Sequence, residues 1–494
     1  MTITIVGLGP GDPELLTRRA WRILSEAEAV YLRTARHLGV EALPIKQLHS
    51  FDAWYDEAED FASLYLRITE EVLRLGERPE GVVYAVPGHP LVGEHTVTLI
   101  LQTAKQRGVT VTIVDGLSFI EPMIGALGID VLDGLQIHDA ETIAHMHHPP
   151  LNPDVPSLLA QVYSRAVASD VKLTLANQYA EDHEVVLIQA AGTPQAHLER
   201  VPLYALDRQP VDHLTSLYVP PMQRRGSFEY FQEIVAHLRA PEGCPWDRKQ
   251  THESLREYLL EETYEVLEAL DSGDSDLLMK ELGDLLLQIV LHSQIAVEAA
   301  EFNMADVIAY VCEKMIRRHP HVWGDVQADD PEQVHANWDQ IKRQERAEWE
   351  QRKLQARAED SESEALPSAL DGVPKVLPAL AAAAKLHNRA ARIGFEWESV
   401  EGVIAKVREE LEELISAEDG DHRTEEFGDV LSSLINLARW YEIDPETALR
   451  ENNAKFERRF RHMEAAAQRA GKTLQNLSLS EMDALWNAAK RDGL

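Results

Sequence analysis

The chain has 494 residues, with 83 Asp and Glu against 48 Lys and Arg and a formal charge of -35. Such an excess of negative charge disfavours long contact with a phosphate backbone, so no nucleic-acid partner is expected. The length suggests roughly two to four globular domains, and Cys244 and Cys312 are too few for a disulfide framework, which makes both expected reduced core or loop residues.

The chain opens MTITIVGLGPGDPELL, with no basic stretch ahead of an apolar one, and no later run is apolar for long enough to cross a bilayer. The expectation is a cytoplasmic protein without membrane contact. Residues 1–220 alternate short β-branched runs (ITIVGLG, GVVYAVPGHP, VTVTIVDG, VKLTLANQY, EVVLIQAAG) with helical stretches, which is the pattern of an α/β domain. Its first run reads strand, glycine-rich turn, helix, with Pro13 following Asp12 at the first helical turn. Glycines there let backbone approach a ligand closely. Their spacing is not G-x-G-x-x-G, however, so a dinucleotide fold does not follow.

The paired prolines and Gly-Ser of YVPPMQRRGS mark a boundary, after which the chain reads helical. The segment YLLEETYEVLEALDSGDSDLLMKELGDLLLQ is echoed by KVREELEELISAEDGDHRTEEFGDVL, with Glu262 and Glu265 matching Glu410 and Glu413, and Glu281 and Asp284 matching Glu426 and Asp429. The connection between the carboxylate pairs is three residues shorter in the second copy. EKMIRRHPH is likewise echoed by AKFERRFRH and NWDQIK by LWNAAK. The separation of 145 residues between Asp284 and Asp429 is a whole domain, so the repeat is a tandem duplication. Residues 222–345 form the first copy, 346–372 a charged, Ser/Glu/Pro-rich linker and 373–494 the second copy.

In the second copy, Val407, Leu411, Leu414 and Ile415 make one apolar stripe, and Phe427, Val430, Leu431, Leu434, Ile435, Leu437 and Ala438 a broader one. Glu410 with Glu413, and Glu426 with Asp429, lie beside these stripes at i,i+3. Packing the stripes together would gather the carboxylates at the edge of a helical core, where mutual repulsion needs a cation. Magnesium prefers oxygen ligands and is commonly completed by phosphate oxygens, so a phosphorylated substrate is expected. Gly428 and Gly283 interrupt the acidic helices and are expected to serve close packing or function. Lys455 and Arg459 at i,i+4, with Arg458 beside them, supply cations to face the metal. The bland alternative is a solvated acidic face; recurrence of ExxE, E-x-G-D, a basic cluster and W-x-x-x-K argues against it.

On these motifs, together with CPWDRKQTHESL, ELGDLLLQIVLHSQIA, RRHPHVWGD, RAARIGFEW and ENNAKFERRF, residues 222–494 resemble a MazG-type nucleoside triphosphate pyrophosphohydrolase with two tandem all-α domains. The resemblance implies that Glu410, Glu413, Glu426 and Asp429 bind Mg2+ and carry catalysis. It implies that Lys406, Lys455, Arg458, Arg459, Trp486 and Lys490 lie against the nucleotide. The matching Glu262, Glu265, Glu281 and Asp284 form a second expected metal set. The family reaction converts a nucleoside triphosphate and water to monophosphate and pyrophosphate. The second copy is expected to carry most of it, because Lys406 precedes Glu410 by one turn where the first copy has Tyr258. The first keeps Lys314, Arg317, Arg318, Trp338 and Lys342.

The N-terminal GLGPGDP turn, with VPGHPLVGEHT and VDGLSFIEPMIGALGID, resembles the S-adenosylmethionine-dependent tetrapyrrole methylases, and the whole resembles a YabN-type fusion. That implies a cofactor pocket at Gly9, Pro10, Gly11 and Asp12, with Gly88, His89 and Ser118. Tetrapyrrole methylases commonly have Asp where this chain has His89, which puts methyl transfer in question and leaves ligand binding, regulation or assembly as the expected roles of the domain. The alternative reading is a methyltransferase whose helical half is an assembly module. Paired helical repeats also leave an apolar face, so a homodimer or higher homo-oligomer is expected.

Overall fold

The structure is a computed structural model and describes residues 2–58, 60–328, 330–334, 337–338, 340–345, 347–348, 368–374, 377–417 and 420–493. The expected linker at 346–372 lies largely outside them. The chain forms two compact units, Met1–Gly324 and Asp325–Leu494. No helix among the described residues is long and apolar enough to cross a membrane.

The first unit begins with an α/β domain of two sheets. Strands β1 (Thr2–Gly7), β2 (Val30–Leu32), β3 (Leu48–Ser50), β4 (Val82–Val86) and β5 (Thr110–Val114) form a parallel sheet ordered β3-β2-β4-β1-β5. Parallel strands are covered on both faces, and these sequences show why. Ile3 and Ile5 of β1 pack with Ile68, Val72 and Ile100 of the helices Phe61–Gly76 and His95–Arg107. Val6 meets Leu24 of the helix Arg18–Glu26 on the other face. Strands β6 (Gln136–Asp139), β7 (Ser157–Ala160), β8 (Glu184–Gln189), β9 (His197–Pro202) and β10 (Thr215–Val219) form the second sheet, ordered β6-β7-β10-β8-β9. There only β6 and β7 run parallel.

One expected strand is a helix. VKLTLANQY supplies the last turns of Arg165–Leu175 and the residues after it, not a strand. Val167, Ala168, Val171 and Leu175 are buried at helical spacing, the Ser164 side chain caps the N-terminus, and Lys172 pairs with Asp207 at 2.7 Å. The helical period across the whole segment overrides the β-branched character of its end.

The α/β domain is tied to the first helical repeat by hydrogen bonds rather than by a bare tether. Asp154 accepts from the backbone N–H groups of Gly226 and Ser227 at 2.9 and 3.1 Å, and Asn152 Nδ2 donates to Glu229 at 3.1 Å. These contacts meet the start of the helix Phe228–Arg239, whose N-cap is Ser227. Arg239, 5% exposed, then places its Nε and Nη2 each 2.8 Å from the Glu298 carboxylate. It also donates to the carbonyls of Asp247 and Gln250. The CPWDRKQT stretch is thus fastened to the helix Ser275–Glu298. Val235, Leu255, Val290 and Leu291 form the small core beneath. Both cysteines are free, but Cys312 is an exposed residue of the helix Met304–Arg318 and neither core nor loop.

In the second unit the helices Val400–Ser416 and Gly420–Trp440 pack against each other, followed by Pro445–Arg469 and Leu479–Arg491. The expected stripes are only partly core. Val407, Val430 and Ile435 are buried, whereas Leu411, Phe427, Leu431 and Leu434 are exposed and Ile415 is 82% exposed. An apolar arc this wide exceeds what one neighbouring helix covers.

Candidate functional sites

The four acidic positions of each repeat sit on two adjacent helices, Arg256–Ser272 with Ser275–Glu298 in the first and Val400–Ser416 with Gly420–Trp440 in the second. In the first, carboxylate oxygens of Glu262, Glu265 and Glu281 lie within 4.8 Å of one another. In the second, Glu410, Glu426 and Asp429 do so. The fourth member stands beside each trio. Negative charge on Asp284 is felt by both Glu262 and Glu281, and that on Glu410 and Glu426 by Glu413.

The carboxylates repel. Partial desolvation and then the charge of Asp284 and Glu265 push Glu262 up. Desolvation followed by Glu265 and Asp284 does the same to Glu281. Glu413 is raised first by desolvation and then by Glu410 and Glu426. Clustered oxygen donors, with Glu262, Glu281 and Glu413 raised by desolvation and then by their neighbours' charge, fit a hard divalent cation.

The two clusters are not neutralised alike. Lys406 Nζ lies 2.9 Å from Glu410 Oε1 and 2.9 Å from Glu409 Oε1, and Glu410 is 7% exposed. His422 Nε2 is 3.0 Å from Glu426 Oε1. Tyr258 and Leu277 occupy the matching positions in the first copy. Among the described residues no ion pair reaches Glu262, Glu265, Glu281 or Asp284.

Gly283 and Gly428 do not serve close packing: a Cβ on either would meet nothing within 4 Å. Both lie on the exposed side of their helices, next to Asp284 and Asp429. Lys455, Arg458 and Arg459 lie on the helix Pro445–Arg469, with Arg458 exposed. The Arg459 guanidinium sits 5.5 Å over the ring of Trp486, on the helix Leu479–Arg491, and Phe456 packs 5.1 Å from the same ring. Lys490 is exposed in the last turn of that helix. In the earlier segments, Lys314 lies over the ring of Tyr310 at 5.3 Å and Lys342 over that of Trp338 at 5.1 Å. Phe456, 56% exposed, was not singled out in the sequence, although its place between Lys455 and Arg459 is the signal that could have found it.

In the α/β domain the three expected loops converge at the carboxyl ends of β1, β4 and β5, where parallel sheets bind ligands. Gly9 and Gly88 exchange backbone hydrogen bonds at 3.2 and 2.8 Å, with φ of +76° and +67°. Gly7 and Gly116 complete the contact, since a Cβ on Gly116 would come 2.5 Å from Gly88 O. Pro10 and Gly11 continue the first loop, and the N–H of Asp12 donates to Gly192 O at 3.2 Å. Ser118, 2% exposed, donates its N–H and hydroxyl to Glu121 at 2.8 and 2.6 Å. His89 Nδ1 accepts the N–H of Leu91 at 3.0 Å, leaving Nε2 3.6 Å from Asp115 Oδ1.

A buried polar knot lies beside these loops. Arg33, directly after β2, holds Glu94 at 3.1 Å. Glu94 accepts from Thr96, which is hydrogen-bonded to Tyr84. Burial pushes His37, close to Gly9, down to about 4, so it is neutral near pH 7. A charged residue directly after the apolar VYL was the available signal.

Comparison with known proteins agrees with both halves. The family described as Tetrapyrrole (Corrin/Porphyrin) Methylases matches residues 2–207, and the MazG nucleotide pyrophosphohydrolase domain matches residues 250–323 and 398–464. YabN of Bacillus subtilis is 42% identical over 504 residues, covering 99% of this chain and 98% of that protein. The nucleoside triphosphate pyrophosphohydrolase/pyrophosphatase MazG of Thermotoga maritima is 43% identical over 263 residues, 53% of this chain and 95% of that one. The crystal structure of a uroporphyrin-III-C-methyltransferase from Thermus thermophilus aligns at 20% identity with a TM-score of 0.36, covering 44% of this chain and 91% of that one.

Proposed function

The chain belongs to the YabN family, a tetrapyrrole methylase domain fused to MazG nucleotide pyrophosphohydrolase domains, and on that premise we propose that it hydrolyses nucleoside triphosphates to monophosphate and pyrophosphate in a magnesium-dependent reaction. The observation that carries this reading is the twofold carboxylate cluster, each with three side chains able to offer oxygens within 4.8 Å of one another. Glu410, Glu426 and Asp429, with Glu413 beside them, would hold the ion, as would Glu262, Glu265, Glu281 and Asp284. When bound, magnesium would polarise phosphoryl oxygens and make a bound water more acidic.

The chain's own side chains supply the remainder. Lys455, Arg458 and Arg459 neutralise the triphosphate, and the Trp486 face is an aromatic surface for a base, with Phe456 against its ring. Water oxygen bonds to the α-phosphorus while giving up a proton to solvent, the bond from that phosphorus to the bridging oxygen breaks, and pyrophosphate leaves with that oxygen and its electron pair. No cysteine or serine nucleophile is required. Incubating the full chain with each nucleoside triphosphate and magnesium, and identifying the products, tests the assignment. Monophosphate with pyrophosphate is expected; diphosphate with orthophosphate would place the broken bond elsewhere.

The convergent Gly9, Gly88 and Gly116 loops support S-adenosylmethionine binding by the α/β domain, with Pro10, Gly11, Asp12 and Ser118 around the pocket. His89 stands where an Asp is common and is occupied with the Leu91 N–H. Ligand binding is what this reading proposes for the domain. Calorimetric titration of the full chain with S-adenosylmethionine should give heat, and its absence would leave the fold without that ligand. Exposed Leu411, Ile415, Phe427 and Leu434 support a homodimer, readable by light scattering.

A further inference from the structure

Two copies of one acidic constellation normally have similar affinity for a cation, but here their surroundings differ in kind. In the second copy an ammonium already lies on the most buried carboxylate, since Lys406 Nζ is 2.9 Å from Glu410 Oε1, and a second contact to Glu409 at 2.9 Å holds it there. Glu426 is engaged as well, by His422 Nε2 at 3.0 Å. One oxygen on each of two of the three clustered carboxylates therefore already has a nitrogen partner. In the first copy Tyr258 and Leu277 stand at those positions. Among the described residues no ion pair reaches Glu262, Glu265, Glu281 or Asp284.

We propose that Lys406 is a built-in counter-ion, so that the second repeat takes its metal together with a triphosphate while the first takes metal alone. A divalent ion reaching Glu410 without a nucleotide must displace an ammonium from a carboxylate and leave that ammonium beside it. When a triphosphate comes with the ion, the phosphate oxygens offer the ammonium a new partner, and no like-charge contact remains. The same lysine, on the same face one turn before Glu410, thus serves as lock in the empty site and as phosphate ligand in the loaded one. This inference rests on the magnesium reading above.

The test uses the full chain and manganese, a spin-active ion with similar oxygen preference, counted by electron paramagnetic resonance. Without nucleotide, wild type should bind one ion tightly and a second at least about fivefold more weakly. Glu262→Gln with Glu265→Gln should remove the tight ion. In that background, α,β-methylene-ATP should raise manganese affinity beyond what the analogue binds alone. Lys406→Met should raise nucleotide-free affinity at the second repeat, and Lys406→Arg should leave it low. Two ions of equal affinity in wild type, or no change in Lys406→Met, would overturn the counter-ion role while leaving metal binding intact. No bound manganese under any condition would overturn the magnesium reading, and this inference with it.

Discussion

Replacing Gly7, the last residue of β1, by alanine should damage the α/β domain where its loops converge. The new Cβ would sit 2.6 Å from Gly88 O, 2.8 Å from Gly116 N and 2.8 Å from Pro90 Cδ. Two of these are backbone atoms at the ends of β4 and β5, so relief requires the loops to separate. Overpacking of this kind costs about 3 kcal/mol. Gly125→Ala is the internal comparison: it lies in the helix Ile120–Leu127, where a Cβ meets nothing within 4 Å. It should stabilise by about 0.5–1 kcal/mol. Because the chain holds more than one compact unit, a single unfolding free energy is a poor readout. Amide hydrogen exchange of β1, β4 and β5 reports the affected region directly. Gly7→Ala should lose protection there and lose S-adenosylmethionine binding, while the helical repeats exchange as before. Unchanged protection in β1 together with unchanged ligand affinity would refute the view that the close approach of Gly7 to the Gly88 and Gly116 backbone builds the pocket.

Four further outcomes are expected. Glu410→Gln with Glu413→Gln should abolish hydrolysis, and Glu262→Gln with Glu265→Gln should leave much of it; the reverse, in a product assay, would make the first repeat the principal site. Gly283→Ala should stabilise the first repeat by about 1 kcal/mol, since the glycine is in a helix with open space around it; hydrogen exchange of Ser275–Glu298 reads this. Arg239→Met should destabilise the first repeat by about 2 kcal/mol, less than for a fully buried pair because Glu298 is half exposed. Its Arg239 bond holds Glu298 below the usual carboxylate range; that contribution is present above the unfolded carboxylate pKa and lost as pH falls through the folded value. The wild-type advantage should therefore shrink in acid, as followed by limited proteolysis across pH, and a gap independent of pH would exclude this ion pair as its source. Chelation of divalent ions should stop turnover, and full activity in chelator would exclude the metal role.

The carboxylate clusters were legible because a helix converts i,i+3 spacing into one face, and duplication repeated the spacing with a changed connection. The three N-terminal loops were legible for a related reason, since glycines following apolar strands have few other uses. What stayed hidden depends on partners distant in sequence. The Lys406 pairs are the exception, since Glu409 and Glu410 stand only three and four residues on and helical spacing already puts them within reach. Leu411 and Ile415 have the spacing of core residues, but periodicity reports which face is apolar and not whether a neighbour covers it. Gly283 and Gly428 were expected to serve close packing or function, and the packing half fails because the space around each is set by other helices. VKLTLANQY misled because local β-branched character outweighed a buried stripe that began several residues earlier.

The Asp154 clasp on the Gly226 and Ser227 amides bears on how this protein can be taken apart. A cut at the sequence-marked boundary near residue 220 looks clean, but a helical fragment beginning there would start with Met222, whose N–H is given to Pro153 O at 2.8 Å in the intact chain. It would also carry an N-terminal helix stripped of the carboxylate that orders its approach. An α/β fragment ending there would keep Asp154 and Asn152 as acceptor and donor with nothing to hold. Each half made separately therefore has a raw edge at the same seam. Recombining two such fragments in a tube, and watching whether they find each other through that edge, would show how far the fusion has become a single heritable piece.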